Sequence, residues 1–190
     1  MSDAEKKPRF PERTGYTYTD ILTWDERYEL LDGEARMMAP PNRAHQELLG
    51  ELFAQLHGFL RGKPGKVYPA PFGVRLFPRK DNQDDTFLEP DITVVCDLSK
   101  LDDQGCKGAP DLVVEILSPS TAKHDLLYKL NKYLQAGVRE YWIADPDEKI
   151  LHVYTLVEGS YRLSKYDAGD KVTVTVLPGC LIDLRAVFTG

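Results

Sequence analysis

Cysteine is scarce in this 190-residue chain, with only Cys96, Cys106 and Cys180. An odd number without a C-x-x-C spacing argues against a disulfide framework and against a zinc site. No apolar run is long enough to span a bilayer. The opening MSDAEKKPRF lacks the apolar core of a secretory signal, so the expected compartment is the cytoplasm. Positive charge is also short: 24 Lys and Arg against 30 Asp and Glu leave a net charge of −6. That excludes a global basic field for nucleic acid, so contact with a phosphate backbone needs a local patch. Arg61, Lys63 and Lys66 form one candidate, Arg75, Arg79 and Lys80 a second, and Lys123, Lys129, Lys132 and Arg139 a third. Dispersed, solvated charge is the simpler explanation of each. What is present is an ordinary globular composition, 42% hydrophobic and 28% charged. The expected layout is a loose polar arm over residues 1–17 and a single domain over 18–190.

The chain is organised around residues 110–132, PDLVVEILSPSTAKHDLLYKLNK. Residues 111–117 read as a strand, short, β-branched and bounded by Pro110 and Pro119. Alternation puts Asp111, Val113, Glu115 and Leu117 on one face and Leu112, Val114 and Ile116 on the other. Both faces are mostly apolar, so Glu115 is a carboxylate in a covered strand, costly unless paired or bound to a cation. Ser120 or Thr121 can cap the helix that follows, and Gly137 ends it. Leu126, Leu127, Leu130, Tyr133 and Leu134 mark its apolar stripe. Lys132 falls nearly opposite and reads as solvated. Lys129 sits at the stripe's border, able to reach Glu115.

Upstream, Ile21, Trp24, Tyr28 and Leu31 repeat at helical spacing after Tyr18. Asp32-Gly33 is a turn, and residues 34–39 read as a strand. Asn42 can cap a helix over 44–60 with Leu48, Leu52, Leu56 and Phe59 on its core face. Strand pieces follow at 67–68, 73–77 and 91–96, then 140–144, 150–156, 161–165 and 172–177. The order implies a mixed α/β or α+β domain with one central sheet.

Take 91–96 and 111–117 as an antiparallel hairpin. If Asp97 pairs near Asp111, Asp91 falls near Leu117 and Glu115 faces Thr93. Asp91 and Glu115 then converge on one face at one sheet end. With the backbone carbonyl of Ile116 they make a hard oxygen site suited to Mg²⁺, or Mn²⁺ in its place. Asp111 lies about 13 Å from Glu115 along the strand, too far to share an ion, and marks the strand entrance. A lysine beside such an ion can orient a water, help deprotonate it and stabilise phosphoryl charge; Lys129 is the candidate. His45 and Glu47 could supply a second layer of contacts or a further ligand. Each also has a plainer explanation: Asp91 as a polar strand start, Glu115 as one half of an ion pair, Lys129 snorkelling beside apolar neighbours, and His45 as a helix-start histidine.

The run EPDITVV, then PDLVVEILSPST, then DLLYKLNKYLQAGVREYWIADP resembles the Uma2 family (DUF820) of the PD-(D/E)XK nuclease superfamily. Upstream YELLDGEARMMAPPNRAHQEL is similar to the family's N-terminal pattern. The resemblance covers about residues 18–185. It implies a restriction-endonuclease-like central mixed sheet flanked by helices, with Asp91 and Glu115 as metal ligands. The usual lysine of the motif would fall at Leu117, which cannot do that chemistry, and the resemblance places it at Lys129 instead. His45 matches a recurrent histidine, and Glu47 stands where many superfamily members carry an acidic residue on the first helix.

Two functions of different class follow. One is a Mg²⁺-dependent endonuclease hydrolysing DNA phosphodiester bonds, with RNA or another phosphodiester as a weaker variant. The other is a non-catalytic nucleic-acid- or protein-binding module on the same fold. Cutting both strands of a duplex favours two-fold symmetry, so a homodimer is expected of the first.

Overall fold

The computed structural model describes residues 14–117 and 123–189. The N-terminal third holds α1 (Tyr18–Ile21), β1 (Tyr28–Leu31), β2 (Glu34–Met37), α2 (Arg43–Leu60) and β3 (Lys66–Pro69). The middle holds β4 (Val74–Arg75), β5 (Phe87–Leu88), β6 (Ile92–Val95), β7 (Leu101–Asp102), β8 (Gly105–Lys107), β9 (Leu112–Ile116) and α3 (Lys123–Ala136). β10 (Glu140–Asp145), β11 (Ile150–Val157), β12 (Ser160–Asp167), β13 (Lys171–Thr173), β14 (Leu181–Asp183) and α4 (Leu184–Phe188) complete the chain.

The mixed α/β class holds, but there are two large sheets where one was expected. One runs β12-β11-β10-β9-β6-β3, the other β2-β1-β5-β4-β8-β7, with β13–β14 as a separate ribbon. The second sheet is built partly from strands of two or three residues, too short to show alternation in the sequence.

β9 occupies an interior position, antiparallel to β6 and parallel to β10. A parallel neighbour requires a crossover, and α3 is that crossover. All five β9 residues are buried. Leu112, Val114 and Ile116 pack with Leu52 and Leu56 of α2, while Val113 packs with Val74 and Leu88 of the second sheet and with Tyr133 of α3. Truncating Leu52 or Leu56, both fully buried, to alanine would cost roughly 2–5 kcal/mol. That packing holds α2 and α3 on opposite sides of β9, and the site lies where all three meet.

Local signals explain the boundaries. Asn42 caps α2, its side chain accepting the His45 N–H at 2.9 Å. Gly137, at φ +83°, ends α3, in the left-handed region glycine enters without penalty. The proposed caps Ser120 and Thr121 lie outside the described residues. So do residues 1–13 of the arm expected over 1–17, whereas Gly15 and Tyr16 within it donate backbone bonds to Gly33 O at 3.1 and 3.0 Å.

Four expectations change. The helical spacing from Ile21 to Leu31 is not one helix: α1 stops at Ile21, and Tyr28 begins a strand. β1 and β2 are a hairpin whose two-residue turn, Asp32-Gly33, has positive φ at both positions. That geometry matches the twist of the flanking strands, and tertiary pairing overrode a coincidental period. The β6–β9 register differs by two residues, since Thr93 pairs with Val113 rather than Glu115. A two-residue shift keeps every side chain on its face, and continuing it sets Asp91 opposite Glu115. Lys132 is not solvated but bonds Asp32 Oδ1 at 2.6 Å, tying α3 to the hairpin turn. Finally, the strand expected over 172–177 pairs only as Lys171–Thr173, although Val172, Val174 and Val176 keep the alternation by being buried.

Candidate active site

A cavity of about 230 Å³ opens at the end of the β6–β9 pair, and Glu29, His45, Asp91, Glu115, Ile116 and Lys129 all line it. The β6–β9 pairing extends only to Ile92↔Val114. Beyond it, the Asp91 carboxylate replaces the ladder: Oδ2 accepts the Ile116 N–H at 2.7 Å. Oδ1 lies 3.1 Å from His45 Nε2, carried on the first turn of α2. Asp91 is thereby fixed from the strand on one side and from the helix on the other. His45 is buried, and among the described residues its Nδ1 has no hydrogen-bond partner.

Glu115 is buried, facing α3 as the alternation requires. Lys129 and Tyr133, one turn apart on the same helix face, both reach Glu115 Oε1, at 3.1 and 2.9 Å. Lys129 Nζ also donates to Glu29 Oε1 at 2.9 Å. Glu29 in turn accepts the Glu89 N–H at 3.1 Å. The ammonium therefore lies between two carboxylates, and Lys129 is only 8% exposed.

The electrostatics follow from this burial. Desolvation raises the Glu115 pKa to about 7, with Lys129 opposing and Glu29 and Asp91 adding to the rise. Desolvation pulls the Lys129 pKa down, but Glu115 and Glu29 outweigh it and hold the value above the ordinary lysine range. Lys129 is thus an ammonium at neutral pH. Burial, and then the neighbouring Glu115 charge, raise the Tyr133 hydroxyl pKa well above its usual value, so it stays a donor.

The donor set fits a hydrated hard cation. Among the described residues, no three His, Cys, Asp or Glu side chains form a ligand cluster on their own, so a protein cage is not what these residues build. Two carboxylates and the Ile116 carbonyl suit Mg²⁺ or Mn²⁺, which keep several waters. A carboxylate has about four lone-pair sites, so Asp91 and Glu115 keep capacity after the bonds described.

The structure brings together Asp91, Glu115, Ile116, Lys129 and His45. It does not bring Glu47, which does not line the cavity and pairs with Arg43 at 2.5 Å on the exposed face of α2. Asp111 is elsewhere too, accepting from Arg139 and from the Cys96 N–H. Two site residues escaped sequence reasoning. Glu29 was hidden under the spurious helical period; reading Asp32-Gly33 as a hairpin turn places it on the inward face beside the buried Leu31. Tyr133 read as core, and its ring is core, but its hydroxyl is part of the site. The arginines of the second and third basic clusters are spent on internal pairs: Arg75 is buried against Asp102, Arg79 bonds Asp85 at 2.6 Å and Arg139 pairs with Asp111.

The fold is a nuclease-like α/β fold. A crystal structure described as "a putative nuclease belonging to DUF820", from Anabaena variabilis ATCC 29413, superimposes with a TM-score of 0.73. At 19% identity it covers 91% of this chain and 97% of its own, which establishes the shared fold. The model of the Uma2 family, whose description reads "Putative restriction endonuclease", matches residues 17–185, and the chain belongs to that family. No curated protein matches the chain. Among the described residues, no helix is long and apolar enough to cross a membrane.

Proposed function

We propose that this protein is a divalent-metal-dependent endonuclease that hydrolyses DNA phosphodiester bonds. The supporting observation is the convergence of Asp91, Glu115 and Lys129, from three separate elements, on one cavity at a sheet end. Asp91, Glu115 and the Ile116 carbonyl are the groups that would hold Mg²⁺ or Mn²⁺. Such an ion supplies Lewis-acid polarisation of the phosphate and a water of lowered pKa. Lys129 contributes a fixed positive charge. As an ammonium it orients water and stabilises charge building on the phosphate oxygens, and it does not accept the water's proton. His45 and the Ile116 N–H hold the Asp91 carboxylate in place, and Tyr133 does the same for Glu115. Preorganisation of this kind removes reorganisation from the reaction step.

The test is cleavage of plasmid and labelled duplex DNA by the purified protein with Mg²⁺, with Mn²⁺ and with chelator, beside Glu115→Gln. Metal-dependent cutting that the variant loses is the expected result. Cleavage by Glu115→Gln at the wild-type rate would exclude this site. A second reading, a non-catalytic nucleic-acid- or protein-binding module on the same fold, draws on the fold itself, which does not fix function. A gel shift without metal and without cleavage would favour it. RNA and model phosphodiesters in the same panel define the substrate, and sedimentation with and without duplex tests for a homodimer.

A further inference from the structure

We infer that Glu29, on the β1–β2 hairpin outside the β6–β9–α3 core of the site, is a positioning residue for Lys129. This rests on the nuclease reading and adds to it a residue that neither the superfamily motif nor the ligand set contains. Lys129 has a long stem with several rotatable bonds, and a single partner would leave its ammonium free to swing about that contact. Two acceptors fix it. Glu115 Oε1 and Glu29 Oε1 stand 3.1 and 2.9 Å from the same nitrogen, approaching from different sheets. Glu29 is itself restrained, since it shares the inward face of β1 with Leu31, is buried and accepts the Glu89 N–H. β1 is anchored in turn by its hairpin with β2 and by the bonds that Asp32 accepts from Lys132 and Tyr128 on α3. The hairpin is therefore part of the active-site framework, and the ammonium is placed only when both sheets are packed.

Charge gives Glu29 a second role. A cation held at Asp91 and Glu115 would repel the Lys129 ammonium, and without Glu29 the lysine's one anionic partner among the described residues would be a carboxylate it shares with that ion. Glu29 supplies a second carboxylate, held from β1 and outside the proposed ligand set, so Lys129 stays beside the site when the ion is bound.

The experiment compares Glu29→Gln and Glu29→Ala with wild type in three measurements: steady-state cleavage of a labelled duplex, Mn²⁺ affinity by calorimetry, and thermal melting. The glutamine is isosteric and keeps the fold even if alanine does not. For Glu29→Gln, kcat is expected to fall roughly 10- to 100-fold, the range typical for residues that orient a metal-site group. KM and Mn²⁺ affinity are expected to stay within about threefold, because a residue that only positions Lys129 adds nothing to the binding of ion or substrate. Methylammonium should restore part of the activity of Lys129→Ala when Glu29 is present and not in the double variant with Glu29→Gln. An unchanged kcat for Glu29→Gln overturns the inference. So does a loss of Mn²⁺ affinity matching that of Glu115→Gln, which would make Glu29 a ligand. If the wild-type protein cuts nothing, the nuclease reading falls by itself, and a crystal structure of Glu29→Ala decides the positioning role. Lys129 Nζ moved more than 1 Å from its place beside Glu115 supports it; an unmoved Nζ overturns it.

Discussion

Replacing Lys129 with methionine should destabilise the protein in a strongly pH-dependent way. The methionine fills most of the volume and removes the charge, leaving Glu29 and Glu115 buried without the ammonium that bonds both. Removing one partner of a buried ion pair typically costs about 3–5 kcal/mol, and the upper part of that range applies here because two carboxylates lose their counter-charge. For a chain of this size that is a fall in Tm of roughly 6–20 °C. The pH dependence follows from Glu115, whose pKa burial already raises to about 7 and which Lys129 holds down. Without Lys129 that value rises further. A folded-state pKa above the unfolded one gives stability that is fully present below the unfolded pKa and lost as pH rises through the folded one. The variant should thus be most impaired near pH 8 and recover much of the deficit by pH 5.5, where the carboxyl is protonated. Urea titrations of both proteins at the two pH values, in chelator so that no divalent ion substitutes for the ammonium, give the difference directly. A penalty under about 1 kcal/mol at pH 8, or one equal at both pH values, would refute the buried carboxylate–ammonium arrangement.

Mn²⁺ affinity measured by calorimetry should weaken as pH falls through about 7, because a proton competes for the raised Glu115 carboxylate; a flat profile from pH 8 to 5.5 counts against Glu115 as a ligand. Asp111→Ala breaks the bonds to Arg139 and to the Cys96 N–H, so denaturation should show a loss of about 1–3 kcal/mol. Its cleavage under stabilising conditions should stay at wild type, separating Asp111 from Asp91. Glu47→Gln breaks an exposed pair with Arg43, so stability should change by less than about 1 kcal/mol and cleavage should be unchanged; a large loss of activity would return Glu47 to the site.

How legible the site was depended on which physical rule placed each residue. Period-two alternation survives a shift of two in register, which is why Asp91 and Glu115 share a face although Thr93 pairs with Val113. The helical period placed Lys129 and Tyr133 correctly, because α3 is long enough to establish its phase. For Glu29 a spacing of three and four residues imitated a helix over what is a four-residue strand. Only the packing of β1 against α3 brings Glu29 to Lys129, one hundred positions later in the chain. The fates of Lys132 and Arg139 were hidden for the same reason, since each looks solvated until a distant carboxylate is brought to it.

The sequence by itself determined the longer elements, the faces they bury and the two carboxylates that share one face at a sheet end. Those properties depend on neighbours a few residues away, which the linear pattern records. The tertiary structure alone decided that a second sheet forms from fragments, that its first hairpin carries Glu29 against α3, and that one lysine is thereby held between two acids. Contacts of that kind depend on how whole layers pack, and their energy enters only once chain segments far apart have been brought together.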